Sequence, residues 1–467
     1  MTDDRETLAR VATAALLEDA ARRASRYLES LGERPVAPSP EAIRGLAALD
    51  EPLPAGPTDA ARVLAELDEF VSPATMAMAG PRFFGFVIGG ALPATLAANW
   101  LASAWDQNAV FAKVTPGVSM LEEVALRWLV DFLGLPDLTQ GSFVTGATLA
   151  NFTALAAARH VVLARAGWNV EAEGLFGAPP ITVVIGDEAH PTLLKSLGLL
   201  GLGRNRLLRV PTDGQGRMSA KDFPALSGPA IVCLQAGNIN SGAFDPFDAI
   251  IPVAHEAGAW VHVDGAFGLW ALGVPSLRHL AAGMETADSW ATDAHKWLNV
   301  PYDSGLAFVR TPGALPAAMA ITADYLPTGD TRRSPSDFTP ELSRRARGVE
   351  VWAAMRSLGR SGLVELFERN CRQARRFAEA LSAAGCEVLN DVVLNQVLVS
   401  FGAPEVTERV VEELQAEGTC WCGGSRWHGR AAMRISVCSW ATTDSDVERS
   451  IDAMLRVLTS RRRAGPP

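Results

Sequence analysis

Short apolar segments that alternate with helical segments constrain the fold of this chain most strongly. From residue 142 onward, β-branched stretches are separated by stretches with helical spacing of apolar residues. This alternation predicts an α/β fold with a mostly parallel, doubly wound sheet. The predicted strands are 181–185, 206–210, 231–235, 259–263, 289–292 and 305–309. Ligands of such sheets bind beyond the carboxyl ends of the strands. The candidate residues that follow predicted strand ends are His190, Asn238, Asp264 and Lys296.

The segments on either side of this sheet have a different character. Residues 5–31 carry apolar side chains at helical spacing, and further helix starts are predicted at Ser39 and near Thr58. A second α/β unit begins near Val349, with strands predicted at 397–401 and 432–438. We therefore predict three parts. They are an N-terminal helical arm (1–80), a large domain (81–350) and a smaller C-terminal domain (351–467).

Charge and cysteine content exclude several classes of function. The 467 residues carry a net charge of −10, which gives no support for nucleic-acid binding. The six cysteines lack zinc spacing, and Ala259 stands where a zinc-protease helix starting at His255 would need its second histidine, so we predict no metal site. Reduced thiols and a polar N-terminus without a signal-peptide pattern predict a cytoplasmic protein.

One uncharged stretch is long enough to cross a bilayer. Residues 83–105 contain no charged side chain, but Gly85, Gly89, Gly90 and Pro93 interrupt them. We predict a buried loop followed by a helix, near an active site or a subunit interface, and no membrane span.

Lys296 and Asp264 are the strongest candidates for chemistry. Lys296 is one of only four lysines, and a lysine amine can form an imine whereas an arginine cannot. The alternative is a surface lysine at a turn. Asp264 could ligate a metal, cap a helix or pair with a cationic ring nitrogen.

Two further features complete a recognisable set. Thr145-Gly146-Ala147-Thr148 precedes a helix, where free backbone N–H groups suit a phosphate, although a threonine there can also be a simple cap. His190 offers a flat imidazole, although a single histidine is more often structural. A lysine, an aspartate, a helix N-terminus and an imidazole are together the groups that hold pyridoxal phosphate (PLP).

Two sequence strings resemble those of the group II PLP-dependent amino acid decarboxylases. They are His262-Val263-Asp264-Gly265-Ala266 and His295-Lys296-Trp297-Leu298-Asn299, and the resemblance extends from about residue 81 to the end of the chain. It implies fold type I, as in aspartate aminotransferase, and a homodimer with shared active sites.

The resemblance also implies roles for individual residues. Lys296 would form an imine with the cofactor, Asp264 would keep its ring nitrogen protonated, and His190 and Ala266 would lie on the two ring faces. Phosphate contacts are expected from Ala147, Thr148 and His295, and a contact with the ring oxygen from Asn238. Substrate contacts are expected from Phe86, Asn108 and Arg434.

Three departures from the family leave the outcome of the reaction open. Asp293 stands where better-known members have asparagine, and an acid there would repel a phosphate. In the polar segment 323–347, predicted to be a mobile lid, Phe338 lies near the place of a family tyrosine, and Tyr325 could substitute for that tyrosine. The apolar loop 83–90 suits an aromatic or aliphatic substrate. The leading prediction is decarboxylation to an amine, and the alternatives are oxidative deamination to an aldehyde and transamination.

Overall fold

A seven-stranded sheet lies at the centre of the computed structural model, which describes residues 2–321 and 332–464. Its strands are β1 (Gln140–Val144), β2 (Thr182–Gly186), β3 (Leu208–Val210), β4 (Ala230–Gln235), β5 (Trp260–Asp264), β6 (Ser289–Asp293) and β7 (Gly305–Val309). Their order is β1-β7-β6-β5-β4-β2-β3, and β7 runs antiparallel to both of its neighbours while the others share one direction. The predicted mostly parallel α/β sheet is confirmed.

Helices cover both faces of this sheet and extend to both ends of the chain. The α-helices are α1 (Thr2–Ser30), α2 (Pro40–Gly45), α3 (Ala60–Glu66), α4 (Ser72–Ala74), α5 (Pro93–Trp105), α6 (Pro116–Leu133), α7 (Ala147–Arg165), α8 (Val170–Glu173), α9 (Pro191–Leu199), α10 (Phe247–Glu256), α11 (Ala314–Met319), α12 (Gly348–Ala383), α13 (Pro404–Glu417) and α14 (Asp444–Ala464). Ser39 caps α2 by accepting a hydrogen bond from the Ala42 N–H, as its position before Pro40 predicts.

A second, antiparallel sheet follows in the last quarter of the chain. Its strands are β8 (Glu387–Val388), β9 (Gln396–Ser400), β10 (Gly423–Trp427) and β11 (Arg430–Ser436), in the order β10-β11-β9-β8. The long helix α12 contacts α5 and α6 of the first unit and also β9 and α14 of the second. The domain limits at residues 80 and 350 stay predictions.

The uncharged stretch 83–105 forms a loop followed by the 13-residue helix α5. Among the described residues, α7 is the one helix long and apolar enough to cross a bilayer, and 61% of its apolar window is buried. It packs against β5, β6 and β7, which accounts for its apolar character as a core helix.

Residues 332–347 of the predicted lid pack against α6 and β1, and the mobility of the lid stays a prediction. Arg333 and Arg344 both form ion pairs with the buried Glu122 of α6, and Arg344 also donates to the carbonyls of Ala109 and Phe143. Phe338 is buried in the core beneath the Arg333 guanidinium, whose carbon lies 4.0 Å from the ring centroid. Tyr325 lies outside the described residues, so its proposed role stays a prediction.

Candidate active site

Lys296 lies in the turn that follows β6, and its amine faces a buried carboxylate. Its Nζ is 2.9 Å from Oδ2 of Asp293, the last residue of that strand. The Lys296 side chain is 17% exposed, whereas Asp293 is 3% exposed. The surface-lysine alternative is therefore wrong, because this amine reaches inward to the end of the sheet.

His295 completes the lysine segment. Its Nδ1 accepts a hydrogen bond from the Ser304 N–H at 3.0 Å, so a neutral ring carries its proton on Nε2. That Nε2 lies 3.3 Å from Oδ1 of Asp293, and the ring of Tyr302 stacks on the imidazole at 4.2 Å. Burial lowers the pKa of His295, with the nearby Asp293 opposing the shift.

Asp264 ends β5, next to β6, and is 4% exposed. Its Oδ2 accepts a hydrogen bond from Nδ2 of Asn151 on α7 at 3.1 Å, and its Oδ1 accepts one from the Ala266 N–H at 3.3 Å. Burial raises the pKa of Asp264, while the positive charges of His190 and Lys296 and the Asn151 donor oppose that rise.

A chain of four hydrogen bonds ends at the Asp264 carboxylate. Asn151 Oδ1 lies 2.9 Å from His262 Nε2, His262 Nδ1 lies 2.9 Å from Ser289 Oγ, and the Trp260 indole donates to the same Ser289 hydroxyl at 2.8 Å. Burial lowers the pKa of His262 to about 3, so its ring is neutral and has one proton.

The direction of each bond in this chain follows from its chemistry. Asn151 Oδ1 can only accept, so His262 carries its proton on Nε2 and accepts at Nδ1 from the Ser289 hydroxyl. Because the Trp260 indole can only donate, every donor in the chain points toward Asp264. The arrangement fixes Asp264 as a hydrogen-bond acceptor.

His190 caps a helix and also belongs to the site. Its Nδ1 accepts from the Thr192 N–H at the start of α9, which leaves the proton of a neutral ring on Nε2. Burial lowers the pKa of His190, the Asp264 charge opposes this, and the charges of Lys296 and Arg434 add to it. The structure thus brings these groups into one electrostatic cluster, and His190 also has a structural role as the cap of α9.

The N-terminus of α7 opens beside Asp293. The first helical residue, Ala147, donates its N–H to Asp293 Oδ1 at 2.5 Å, and Thr148 follows it. A Cβ at Gly146 would come within 3.2 Å of Asp293 Oδ1 and 3.1 Å of the His295 ring. Only glycine therefore fits between the helix start and the lysine segment without displacing one of them.

The apolar loop 83–90 packs on the lysine segment. A Cβ at Gly89 would collide with the Lys296 carbonyl oxygen and the Asn299 side chain. Phe86 is 58% exposed and stacks on Trp421, which also stacks on the buried Phe83. An exposed aromatic surface thus lies on the loop that touches Lys296.

Three other residues that were predicted to contact cofactor or substrate lie in different environments. The Asn238 side chain forms hydrogen bonds within its own turn. Its Nδ2 donates to Gln235, and its Oδ1 accepts from the N–H groups of residues 240 and 241, which argues for a structural role. Asn108 is exposed, and its amide holds the segment 343–344 in place. Arg434 on β11 is half-buried and forms no ion pair within residues 2–321 and 332–464.

Sequence reasoning missed Asn151, Ser289 and Asn299. Asn299 has a φ of 57° and donates to the carbonyls of Trp297 and Cys438, which ties the lysine turn to the end of β11. The available sequence signal for Asn151 was an asparagine within the apolar, Ala-rich stretch that forms α7, since apolar helix faces rarely carry an amide without a partner. The structure shows this asparagine to be fully buried.

Comparison with known proteins identifies the family. Residues 40–403 match the pyridoxal-dependent decarboxylase conserved domain. Tryptophan decarboxylase 1 of Oryza sativa subsp. japonica is 27% identical over 93% of this chain and 91% of its own length. The 4-hydroxyphenylacetaldehyde synthase of Rhodiola rosea is 26% identical with the same coverage.

A solved structure shows the same fold. The crystal structure of Oryza sativa TDC with PLP and tryptamine superposes with a TM-score of 0.89 at 24% identity, over 96% of this chain and 98% of that one. With the family matched across most of the chain, this protein belongs to the pyridoxal-dependent decarboxylases and is a PLP-dependent amino acid decarboxylase.

Proposed function

We propose that the substrate is an L-amino acid with an aromatic or apolar side chain and that the product is its amine. The observation that carries this proposal is the exposed ring of Phe86, stacked on Trp421 in the loop that Gly89 packs against Lys296. A flat apolar surface on the loop that contacts the Lys296 backbone favours a ring or an alkyl group over a carboxylate.

The residues around Lys296 fit PLP in kind. Lys296 offers an inward-facing amine, Asp264 a buried carboxylate with fixed donors, and α7 an N-terminus whose first N–H is already bound to an anionic side chain. We assign Lys296 to the cofactor aldehyde, Asp264 to the ring nitrogen, and His190 and Ala266 to the two ring faces. We assign the phosphate to Ala147, Thr148 and His295. Asn238 is kept as a weaker candidate for the ring oxygen.

Bound PLP supplies an electron sink for the pair left on Cα when carbon dioxide departs. The ionised Asp264 keeps a proton on the ring nitrogen, because its own donors fix it as an acceptor. The Nε2–H of His190 and the guanidinium of Arg434 are the donors that would hold the substrate carboxylate. Asn108, which anchors residues 343–344, would act on the substrate only through that segment.

A substrate panel tests the reaction. The purified protein with PLP is given aromatic, aliphatic and acidic amino acids, and carbon dioxide, amine, hydrogen peroxide and keto acid are measured. We expect one carbon dioxide and one amine per amino acid consumed, with one proton taken up. Keto acid without carbon dioxide would indicate transamination and would contradict the proposal.

A lysine pair tests the cofactor assignment. Lys296→Ala should lose the visible absorbance of lysine-bound cofactor, and Lys195→Ala, which removes an exposed lysine on α9, should keep it. Retention of that absorbance in Lys296→Ala would overturn the assignment.

Aldehyde formation is a second candidate, and a buried phenylalanine favours it. Phe338 lies near the place of the family tyrosine and carries no proton to donate, and a 4-hydroxyphenylacetaldehyde synthase is among the similar proteins. Without a donor, the electron pair on Cα stays open to dioxygen. That route consumes dioxygen and water and yields aldehyde, ammonia, carbon dioxide and hydrogen peroxide. Comparing Tyr302→Phe with Tyr325→Phe would show whether either hydroxyl protects the amine route, since loss of the proton donor should raise the ratio of aldehyde to amine.

We also propose a cytoplasmic homodimer. The six cysteines are all free and buried, as suits a reducing compartment. Exposed apolar side chains occur on both α1 and α5, and they include Leu17, Leu28, Leu101 and Trp105. A second copy would cover these faces. Light scattering should give twice the mass of one chain, and Leu101→Glu should lower it.

A further inference from the structure

Asp293 is bound to groups that are assigned above to the cofactor. Its Oδ1 accepts the Ala147 N–H at 2.5 Å and lies 3.3 Å from His295 Nε2, and its Oδ2 pairs with the Lys296 amine at 2.9 Å. Ala147 and His295 are the groups assigned above to the phosphate, and Lys296 is the group assigned to the aldehyde. One carboxylate therefore holds the anion-binding groups and the reactive amine at once.

The Asp293 side chain has little room to leave. Its residue ends β6, its N–H donates to the Ala266 carbonyl at 3.0 Å, and it lies opposite Gly305 of β7. A Cβ at Gly305 would collide with the backbone of Gly146, so β7 and the start of α7 enclose the carboxylate closely. When a phosphate arrives, the carboxylate has to remain beside it.

The surroundings supply little positive charge to hold two anions together. Lys296 and His295 face Asp293 from its own segment, Asp264 faces it from β5, His190 from the start of α9, and Tyr302 from the turn before β7. Burial lowers the pKa of both histidines, and this favours their neutral forms. Asp264 is a second acid nearby. Lys296 is the cation that contacts Asp293 directly, and the cofactor engages it; Arg434 belongs to the same cluster through its effect on His190 and is assigned to the substrate carboxylate.

A carboxylate beside a phosphate dianion is relieved most simply by a proton. A protonated Asp293 can donate a hydrogen bond to a phosphate oxygen, as an asparagine amide would. We propose that Asp293 takes up one proton from solvent when the cofactor binds, so that cofactor affinity in this enzyme falls as pH rises. The proposal rests on the assignment of the phosphate to the α7 N-terminus.

Cofactor titrations of the apo protein test this coupling. Dissociation constants for PLP are measured by absorbance and fluorescence from pH 6 to 8.5, without amino acid, for the wild type, Asp293→Asn and Asp187→Asn. The last variant makes the same chemical change at an exposed aspartate just beyond β2. Because no turnover is involved, the result is independent of whether the proposed substrate is right.

We expect Asp293→Asn to bind PLP at least about tenfold more tightly than the wild type at pH 8, because a charged neighbour is replaced by a neutral donor. The gap should close toward pH 6. Between these limits the logarithm of the wild-type dissociation constant should rise by up to about one unit per pH unit more than that of the variant. Asp187→Asn should follow the wild type.

Two additional measurements separate the phosphate from the lysine. Pyridoxal, which lacks the phosphate, should bind wild type and Asp293→Asn with similar affinity. Calorimetry in two buffers of different ionisation enthalpy should report about one more proton taken up by the wild type than by the variant at pH 8. Parallel pH profiles, weaker PLP binding by Asp293→Asn, or an equal gain for pyridoxal would each overturn the proposal.

Discussion

Asp264 and Asp293 end neighbouring parallel strands, and both are almost completely buried, yet they are held in different ways. Asp264 accepts from the Asn151 amide and the Ala266 N–H, which are neutral donors set by the fold. Asp293 is held by Lys296, His295 and one backbone N–H of α7. The donors to Asp264 remain in place when a cofactor binds, whereas the partners of Asp293 are the groups assigned to binding the cofactor.

This difference shows how the carboxyl ends of two neighbouring strands can carry two buried acids with different functions. A carboxylate with fixed neutral donors keeps these donors, which favour its ionised form, when a cofactor binds. A carboxylate that depends on a reactive lysine loses its compensation when that lysine is used, so it must change its own protonation. The ends of β5 and β6 thus differ less in residue type than in what surrounds them.

The same isosteric change at both positions should have the largest effect and gives the sharpest comparison. Asp264→Asn should lower kcat on the order of 10² to 10³-fold, because the carboxylate that stabilises charge on the ring is lost. Asp293→Asn should lower kcat at saturating PLP far less and should act mainly on cofactor affinity. Steady-state rates and PLP titrations of both variants measure this, and equal losses of kcat would remove the distinction.

The stability of the protein at low pH tests the chain of hydrogen bonds that runs through His262 to Asp264. The pKa of His262 is lowered to about 3, so below pH 6.5 the unfolded chain binds a proton that the native His262 does not. Stability therefore falls as pH decreases, by about 2 kcal/mol from this group between neutral pH and pH 5. Urea unfolding of the apo protein should show this slope.

Two glutamine variants isolate the contribution of His262. His262→Gln should lose most of the extra acid sensitivity, since glutamine does not titrate. His279→Gln, at an exposed position, should unfold with the wild-type pH dependence. If His262→Gln and the wild type lose stability in parallel as pH falls, the imidazole is not held neutral. The donor-to-acceptor direction assigned to the hydrogen bonds of His262 would then be wrong.

The sequence allowed six of the seven strands of the large sheet to be placed within about two residues, because they are short apolar runs bounded by turn residues, whereas β1 was not predicted. The strand predicted at 259–263 occupies 260–264, and 305–309 is unchanged. β10 was missed because Gly423, Gly424 and Ser425 lack the apolar pattern of a strand. It is an edge strand with its side chains mostly turned to solvent, so pairing with β11 decides its conformation.

Long-range contacts were beyond sequence reasoning. The segment 332–347 is polar and reads as a lid, but Arg333 and Arg344 find their common partner Glu122 on α6, far away in the chain. Local composition contains no trace of that pairing. The identity of Asp293 raised the question of repulsion, whereas its geometry at the α7 N-terminus supplied an answer that residue type alone could not.

The smallest effects should come from variants in the chain of hydrogen bonds that ends at Asp264, and these effects should decrease with distance from Asp264. Asn151→Ala removes the donor to Asp264 and should lower kcat about tenfold, and its acid limb should move to higher pH because that donor lowers the pKa of Asp264. Ser289→Ala, two bonds further away, should change kcat only about two- to threefold. Thr153→Val is the matched control, because this buried hydroxyl on α7 bonds within its own helix.

A graded series in kcat, with the pH shift confined to Asn151→Ala, would mean that the chain of hydrogen bonds acts by positioning Asp264. Equal losses in all three variants would mean that each merely loosens the packing of α7 or β6, and Asp264 would then be no better fixed than Asp293.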